Sequence, residues 1–148
     1  MGCDIHFHIE VKINKEWHHY ASPDVNRWYD LFGALAGVRS SEKPIVQQKG
    51  FPKDASLVTK VAYEYMKEDA HSPSWLNSNE IIKLEKWLDK KQQEAKEEDE
   101  DIEFFQYDLE YTILNTYFFG NSFTGWKQEP FTKPSEIEDV RFVFWFDN

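Results

Sequence analysis

The first thirteen residues alternate strictly between apolar and polar. Cys3, Ile5, Phe7, Ile9, Val11 and Ile13 form one set, and Asp4, His6, His8, Glu10 and Lys12 the other. A repeat of two over that length predicts a β-strand with one buried and one polar face, because a helix would scatter both sets around its circumference. Asn14-Lys15 then offers a tight turn, and Glu16 to Tyr20 reads as a short returning strand carrying Trp17, His18 and His19. His18 and His19 are adjacent and point to opposite faces of that strand, so at most one of them joins the Asp4/His6/His8 side.

The pattern then changes to helical spacing. Ser22-Pro23-Asp24 has the form of a helix start, with a serine cap, a proline at the first helical position and an acid in the first turn. Trp28, Leu31, Phe32, Leu35 and Ala36 make the buried stripe, Gly37 ends the helix, and Val38 is placed to fold back on its last turn. Residues 40–56 are rich in Ser, Pro, Gly and Lys without a regular period, and read as a binding loop or lid. A second helix fits Leu57 to about Glu68, with Val58, Val61, Ala62, Tyr65 and Met66 as its apolar face. His71 to Leu76 is a non-periodic polar and aromatic segment. It ends at Asn77, whose spacing to Glu80 predicts a capping box, with Leu76 and Ile81 as the staple.

The helix from Ser78 to about Gln93 should bury Ile81, Leu84 and Leu88. The stretch from Glu94 to Glu103 holds seven acids and reads as a solvated hinge. Asp101 to Phe119, closed by Gly120, is expected to be a central helix, and Asn121 to Pro134 is turn-rich. Val140 to Phe146 is apolar on both faces, which places it inside a sheet beside the first strand, with Arg141 and Asp147 in reach of the Asp4/His6 face. The expected architecture is α+β: one domain, with a small mainly antiparallel sheet, made from the N-terminal hairpin and the C-terminal strand, covered by about four helices.

Composition narrows the partners. A chain of 148 residues can bury a core without staples, and its 17% aromatic content with six tryptophans is that of a packed interior. The net charge of −10 argues against a nucleic-acid backbone as partner. The single cysteine, Cys3, has no internal disulfide partner, which fits a reducing cytoplasm. No apolar run approaches the length of a membrane span, and Met1 opens directly onto structure rather than a signal peptide.

The polar face of the first strand holds the most chemistry. Asp4, His6 and His8 are a candidate metal-ligand set, since same-face neighbours about 6.5–7 Å apart can lean onto one cation. A polar edge facing water is the plain alternative. Only three arginines occur, Arg27, Arg39 and Arg141. They are suited to bidentate capture of phosphate or carboxylate, with surface ion pairing as the alternative.

These features together resemble a group of small bacteriophage and prophage proteins that begin Met-Gly-Cys-Asp-Ile-His. The resemblance runs through Met1 to His6 and Glu10, Arg27-x-Tyr29-x-Leu31-Phe32 and Leu35-Ala36-Gly37-Val38-Arg39. It continues at Gly50-x-Pro52-x-Asp54-x-Ser56, His71-Ser72-x-Ser74-Trp75-Leu76, Val140-Arg141 and Phe146-Asp147-Asn148, and so spans the chain. Lys49 stands where such proteins often show Arg, Phe51 where Leu is usual, and Pro73 interrupts the His-Ser block. The resemblance implies a phage origin and a dispensable, host-directed role, but no reaction.

Three functions follow as expectations. The first is binding, or sequestration, of a phosphate-bearing, nucleotide-like small molecule to counter host defence. Arg27, Tyr29, Arg39, Lys49, His71, Ser72, Trp75 and Arg141 would line its site. The second is a metal-dependent phosphoesterase in the same pocket, with a divalent ion on Asp4, His6 and His8 and proton handling by His71, Glu10 or Asp54. The third is an acidic inhibitor binding a host protein through residues 94–103.

Overall fold

The computed structural model describes residues 2–25, 27–98 and 137–148. The helix expected over 101–119 and the turn-rich 121–134 lie outside the described residues. Within them the order is β1 (Asp4–Ile13), β2 (Glu16–Ala21), α1 (Tyr29–Ala36), α2 (Leu57–Met66), β3 (His71–Leu76), α3 (Ser78–Glu97) and β4 (Asp139–Asp147). The strands form one sheet in the order β2-β1-β4-β3, with every neighbouring pair antiparallel. An α+β architecture is therefore present, with three helices among the described residues where about four were expected over the whole chain.

β1 and β4 are the central strands. Their register pairs Asp4 with Asp147, Ile5 with Phe146, His6 with Trp145, Phe7 with Phe144 and Glu10 with Arg141. Ile5, Phe7, Ile9, Phe142, Phe144 and Phe146 thus share one face, buried under Leu31, Phe32 and Leu35 of α1 and Ile81, Leu84 and Leu88 of α3. The hairpin turn falls at Asn14 and Lys15, both with positive φ (49° and 66°), as the mirror-image turn between twisted strands requires. Gly37 ends α1 in the left-handed region at φ 69°, and Val38 N–H bonds back to the Phe32 carbonyl at 3.3 Å. Asn77 and Glu80 form the expected capping box at the start of α3.

Four expectations are corrected. His71–Leu76 is a strand: it forms the outer edge, where an irregular register between His71 and Ser74 accommodates Pro73, a residue that cannot donate to a ladder. Ser22-Pro23-Asp24 does not start a helix. Helix α1 begins at Tyr29 behind Trp28, and the Ser22 hydroxyl is taken by histidines instead. Helix α3 continues through the first acids of the charged run, to Glu97.

The fourth correction concerns α2. Of the expected apolar face Val58, Val61 and Tyr65 point outward, Tyr65 with 92% of its surface exposed, as does Leu57, whereas Ala62 and Met66 are half-buried and Thr59 is the buried position. The layer beneath α2 is the polar face of the sheet, so hydroxyls and the Tyr63 ring are better matched to it than valines. Val61→Lys combined with Tyr65→Lys should therefore shift stability by no more than about 1 kcal/mol, about 0.5 kcal/mol for each exposed position. A thermal melt checks this; a large drop would show that the outward stripe is buried. No helix among the described residues is long and apolar enough to cross a membrane.

Candidate functional site

The even-numbered face of β1 is not an open polar edge. Residues 49–56 and α2 cover it as a second layer, and His8 and Glu10 are buried beneath them. At its centre Glu10 is fully buried and accepts from Arg141 Nε at 2.8 Å and from the Ser56 N–H at 2.8 Å. Arg141 also donates through Nη1 to Asp54 Oδ1 at 2.8 Å and through Nη2 to the Asp54 carbonyl at 3.2 Å, and its guanidinium lies 4.1 Å from the Trp17 ring centre. The guanidinium beside Asp54 holds that carboxyl below its usual range. This network clamps the 49–56 loop onto the sheet.

A cleft of about 400 Å³ opens towards the start of β1, between the sheet, residues 22–24 and α2. Its wall includes His6, His8, Ser22, Asp24, Met66 and Trp145. The His8 and His6 rings lie nearly parallel to the Trp145 indole, at 15° and 17°, with centroids 4.9 and 5.8 Å away. Tyr63 and Phe51 meet the same indole in T-shaped contacts. Among the described residues, Trp145 Nε1 is buried without a hydrogen-bond partner.

His6 Nε2 donates to Asp147 Oδ2 at 2.7 Å. His8 Nδ1 lies 3.1 Å from His19 Nε2, and Ser22 Oγ lies 2.9 Å from the first and 2.8 Å from the second. Burial, helped by the neighbouring His19, pushes the His8 imidazole down to about 4, and burial lowers His19 as well.

The residues expected to form one site divide into two groups. Near the start of β1, Arg27 holds Asp4 through Nε and Nη2 at 2.6 and 3.1 Å, and depresses its carboxyl mainly through those bonds. Tyr29 accepts the Cys3 N–H through its hydroxyl at 3.2 Å. Burial raises the Cys3 thiol, and the charges of Arg39 and Arg27 oppose that, so both arginines belong to this end. His71 is at the same end but on the other face: it stacks on Phe146 and bonds Ser72 Oγ at 3.0 Å and Asn148 Oδ1 at 3.3 Å.

The second group is separate. Lys49 pairs with Glu80 and lies over the Trp75 ring at 3.5 Å, beside the Arg141 network. Arg141, expected to hold a ligand, is instead an interior residue with 2% exposure. Glu10 and Asp54, expected to move protons, are its partners.

The metal set Asp4, His6 and His8 is likewise divided, each side chain having a different partner: Arg27, Asp147 and the His19–Ser22 pair. Among the described residues no three His, Cys, Asp or Glu side chains gather into a metal-holding group. Ser22, Asp24 and Trp145 in the cleft wall, and His19 beside it, are not among the expected site residues. The two-residue turn at Asn14-Lys15 pairs Ile13 with Glu16 and so sets Glu10 opposite His19, which puts His19 rather than His18 on this face; the register shifts only beyond that pair, between Ile9 and Glu10.

Comparison with protein-family models, curated proteins and solved structures gives no match for this chain.

Proposed function

We propose that this protein binds, and so sequesters, a small nucleotide-like molecule, with its heterocycle in the cleft beside Trp145 and its phosphate reached by Arg27. The observation that carries this reading is the make-up of the cleft wall. Imidazoles, a hydroxyl and a carboxylate converge there with Met66 and Ala62, which is the mixture that fixes a planar, hydrogen-bonding ligand. With Nδ1 engaged by His19 and Ser22, a neutral His8 leaves Nε2 to donate or accept, and Asp24 can accept from an amine or a ribose hydroxyl. Arg27 is held at Asp4, the next same-face position along from His6, with 54% of its side chain exposed. Binding is preferred to turnover because Glu10, Asp54 and His71 all sit away from the cleft. The resemblance to phage proteins adds the proposed setting, removal of a nucleotide from a host defence.

The test is calorimetric titration of untagged protein with a panel of mononucleotides and their nucleosides, alongside mass spectrometry of small molecules released on heating. Ala62→Trp, which fills the cleft, should abolish binding of both classes. Arg27→Ala should weaken a nucleotide by about ten- to hundredfold and leave its nucleoside unchanged, the worth of one charge-assisted contact of about 1.5–3 kcal/mol. Binding indifferent to Ala62→Trp, or no binding across the panel with nothing released, overturns the reading.

A further inference from the structure

The triangle formed by His8, His19 and Ser22 is unusual for a purely hydrogen-bonded cluster. Its sides are 3.1, 2.9 and 2.8 Å, so each of the three donor atoms is in contact with both others. A neutral ring nitrogen either donates or accepts, and cannot do both. At most the serine proton and one imidazole proton point inward, so two protons serve three contacts. A cation at the centre would instead take a lone pair from each atom.

We propose that His8 Nδ1, His19 Nε2 and Ser22 Oγ form a site for a first-row transition-metal dication of the kind imidazole favours, such as Zn²⁺, Ni²⁺ or Cu²⁺. Tetrahedral ligands about 2.0–2.1 Å from such an ion lie about 3.3 Å apart, so the triangle needs to open by only a few tenths of an ångström. Both imidazoles would present the bare nitrogen to the metal and carry their proton on the other ring atom. Two histidines and a neutral hydroxyl leave coordination positions open, and His8, Ser22 and Asp24 all line the cleft, so those positions have room for water or a ligand atom. The set differs from Asp4, His6 and His8: it keeps His8 and gains partners from β2 and from the loop that follows. It does not depend on the nucleotide reading, since metal alone is the probe.

Untagged protein stripped with a chelator is titrated with Zn²⁺, Ni²⁺ and Cu²⁺ by calorimetry, and with Co²⁺ by visible absorption, which reports coordination by nitrogen and oxygen donors. One ion per chain is expected. His8→Ala and His19→Ala should each weaken binding by about a hundredfold or more, beyond the ten- to hundredfold typical of losing an outer-shell partner. Ser22→Ala should have a smaller effect. His18→Ala removes the exposed neighbour on the opposite face and should change nothing. His19 is only half-buried and carries the test if His8→Ala folds poorly. Wild-type protein without saturable binding overturns the proposal. So does a His19→Ala variant that binds as tightly as His18→Ala, the signature of adventitious surface binding.

Discussion

Replacing Arg141 with alanine is expected to destabilise the protein by about 3–5 kcal/mol, a large part of the roughly 5–15 kcal/mol that holds a domain of this kind folded. The size follows from what remains behind. Glu10 is fully buried, and without the guanidinium its carboxylate is left, among the described residues, with the Ser56 N–H. Breaking a buried pair leaves an uncompensated charge, whereas replacing both partners removes the problem. The double substitution Glu10→Leu with Arg141→Met should therefore recover most of the loss, although the 49–56 loop loses its tether to the sheet. Asp54 makes little difference because its side chain is 69% exposed and water can take over from the guanidinium. Urea midpoints of the single and double variants decide the matter. If Arg141→Ala costs no more than a surface substitution, the network is incidental to the fold.

The strand that organises the molecule was legible because alternation over ten residues admits one reading, and β4 because a strand apolar on both sides has to be interior. The Asn77–Glu80 box and Gly37 were legible for a local reason: they satisfy backbone groups within a few residues. Where non-local partners decide, the local sequence does not show the outcome. Ser22 carries the signature of a helix cap, yet its hydroxyl is claimed by His8 and His19 across the sheet. β3 escaped notice because Pro73 and a positive φ at Ser72 break its period, and only pairing with β4 makes it a strand. The rotation of α2 depends on the polar surface it covers, which its own apolar stripe cannot report.

The same distinction applies to the site. Asp147 near His6 and Arg141 on the Glu10 face followed from placing β4 beside β1. That Arg141 would be spent on the interior did not follow, because nothing local shows that residues 49–56 close over that face. Trp145 stands opposite His6 in the ladder, so its place beneath the imidazoles could have been read from the register that pairs Asp4 with Asp147. His19 could be read as well, since the two-residue turn at Asn14-Lys15 pairs Glu10 with His19, whereas the approach of Ser22 to His8 lies beyond the shift at Ile9 and Glu10, which leaves no compositional trace.

Acid should weaken the fold through His8 before it reaches the carboxylates. The buried imidazole has its pKa pushed down to about 4, first by desolvation and then by His19, with Glu10 opposing. In the unfolded chain it returns to about 6.5. Between those values the unfolded state takes up a proton that the folded state refuses, so stability falls as pH falls through that window and is fully present above it. At about 1.36 kcal/mol per pH unit the loss by about pH 4 amounts to roughly 3 kcal/mol, and His19, lowered in the same direction, adds to it. Asp4 and Asp54, held down by their arginines, act with the same sign but only as pH falls below the ordinary carboxylate range. Urea midpoints of chelator-treated protein at about pH 7 and about pH 4.5 should therefore separate clearly for the wild type, and much less for His8→Gln, which has no proton to gain. Equal separation in the two proteins would show that His8 is solvated, and that the cover over the polar face of β1 is open at that point.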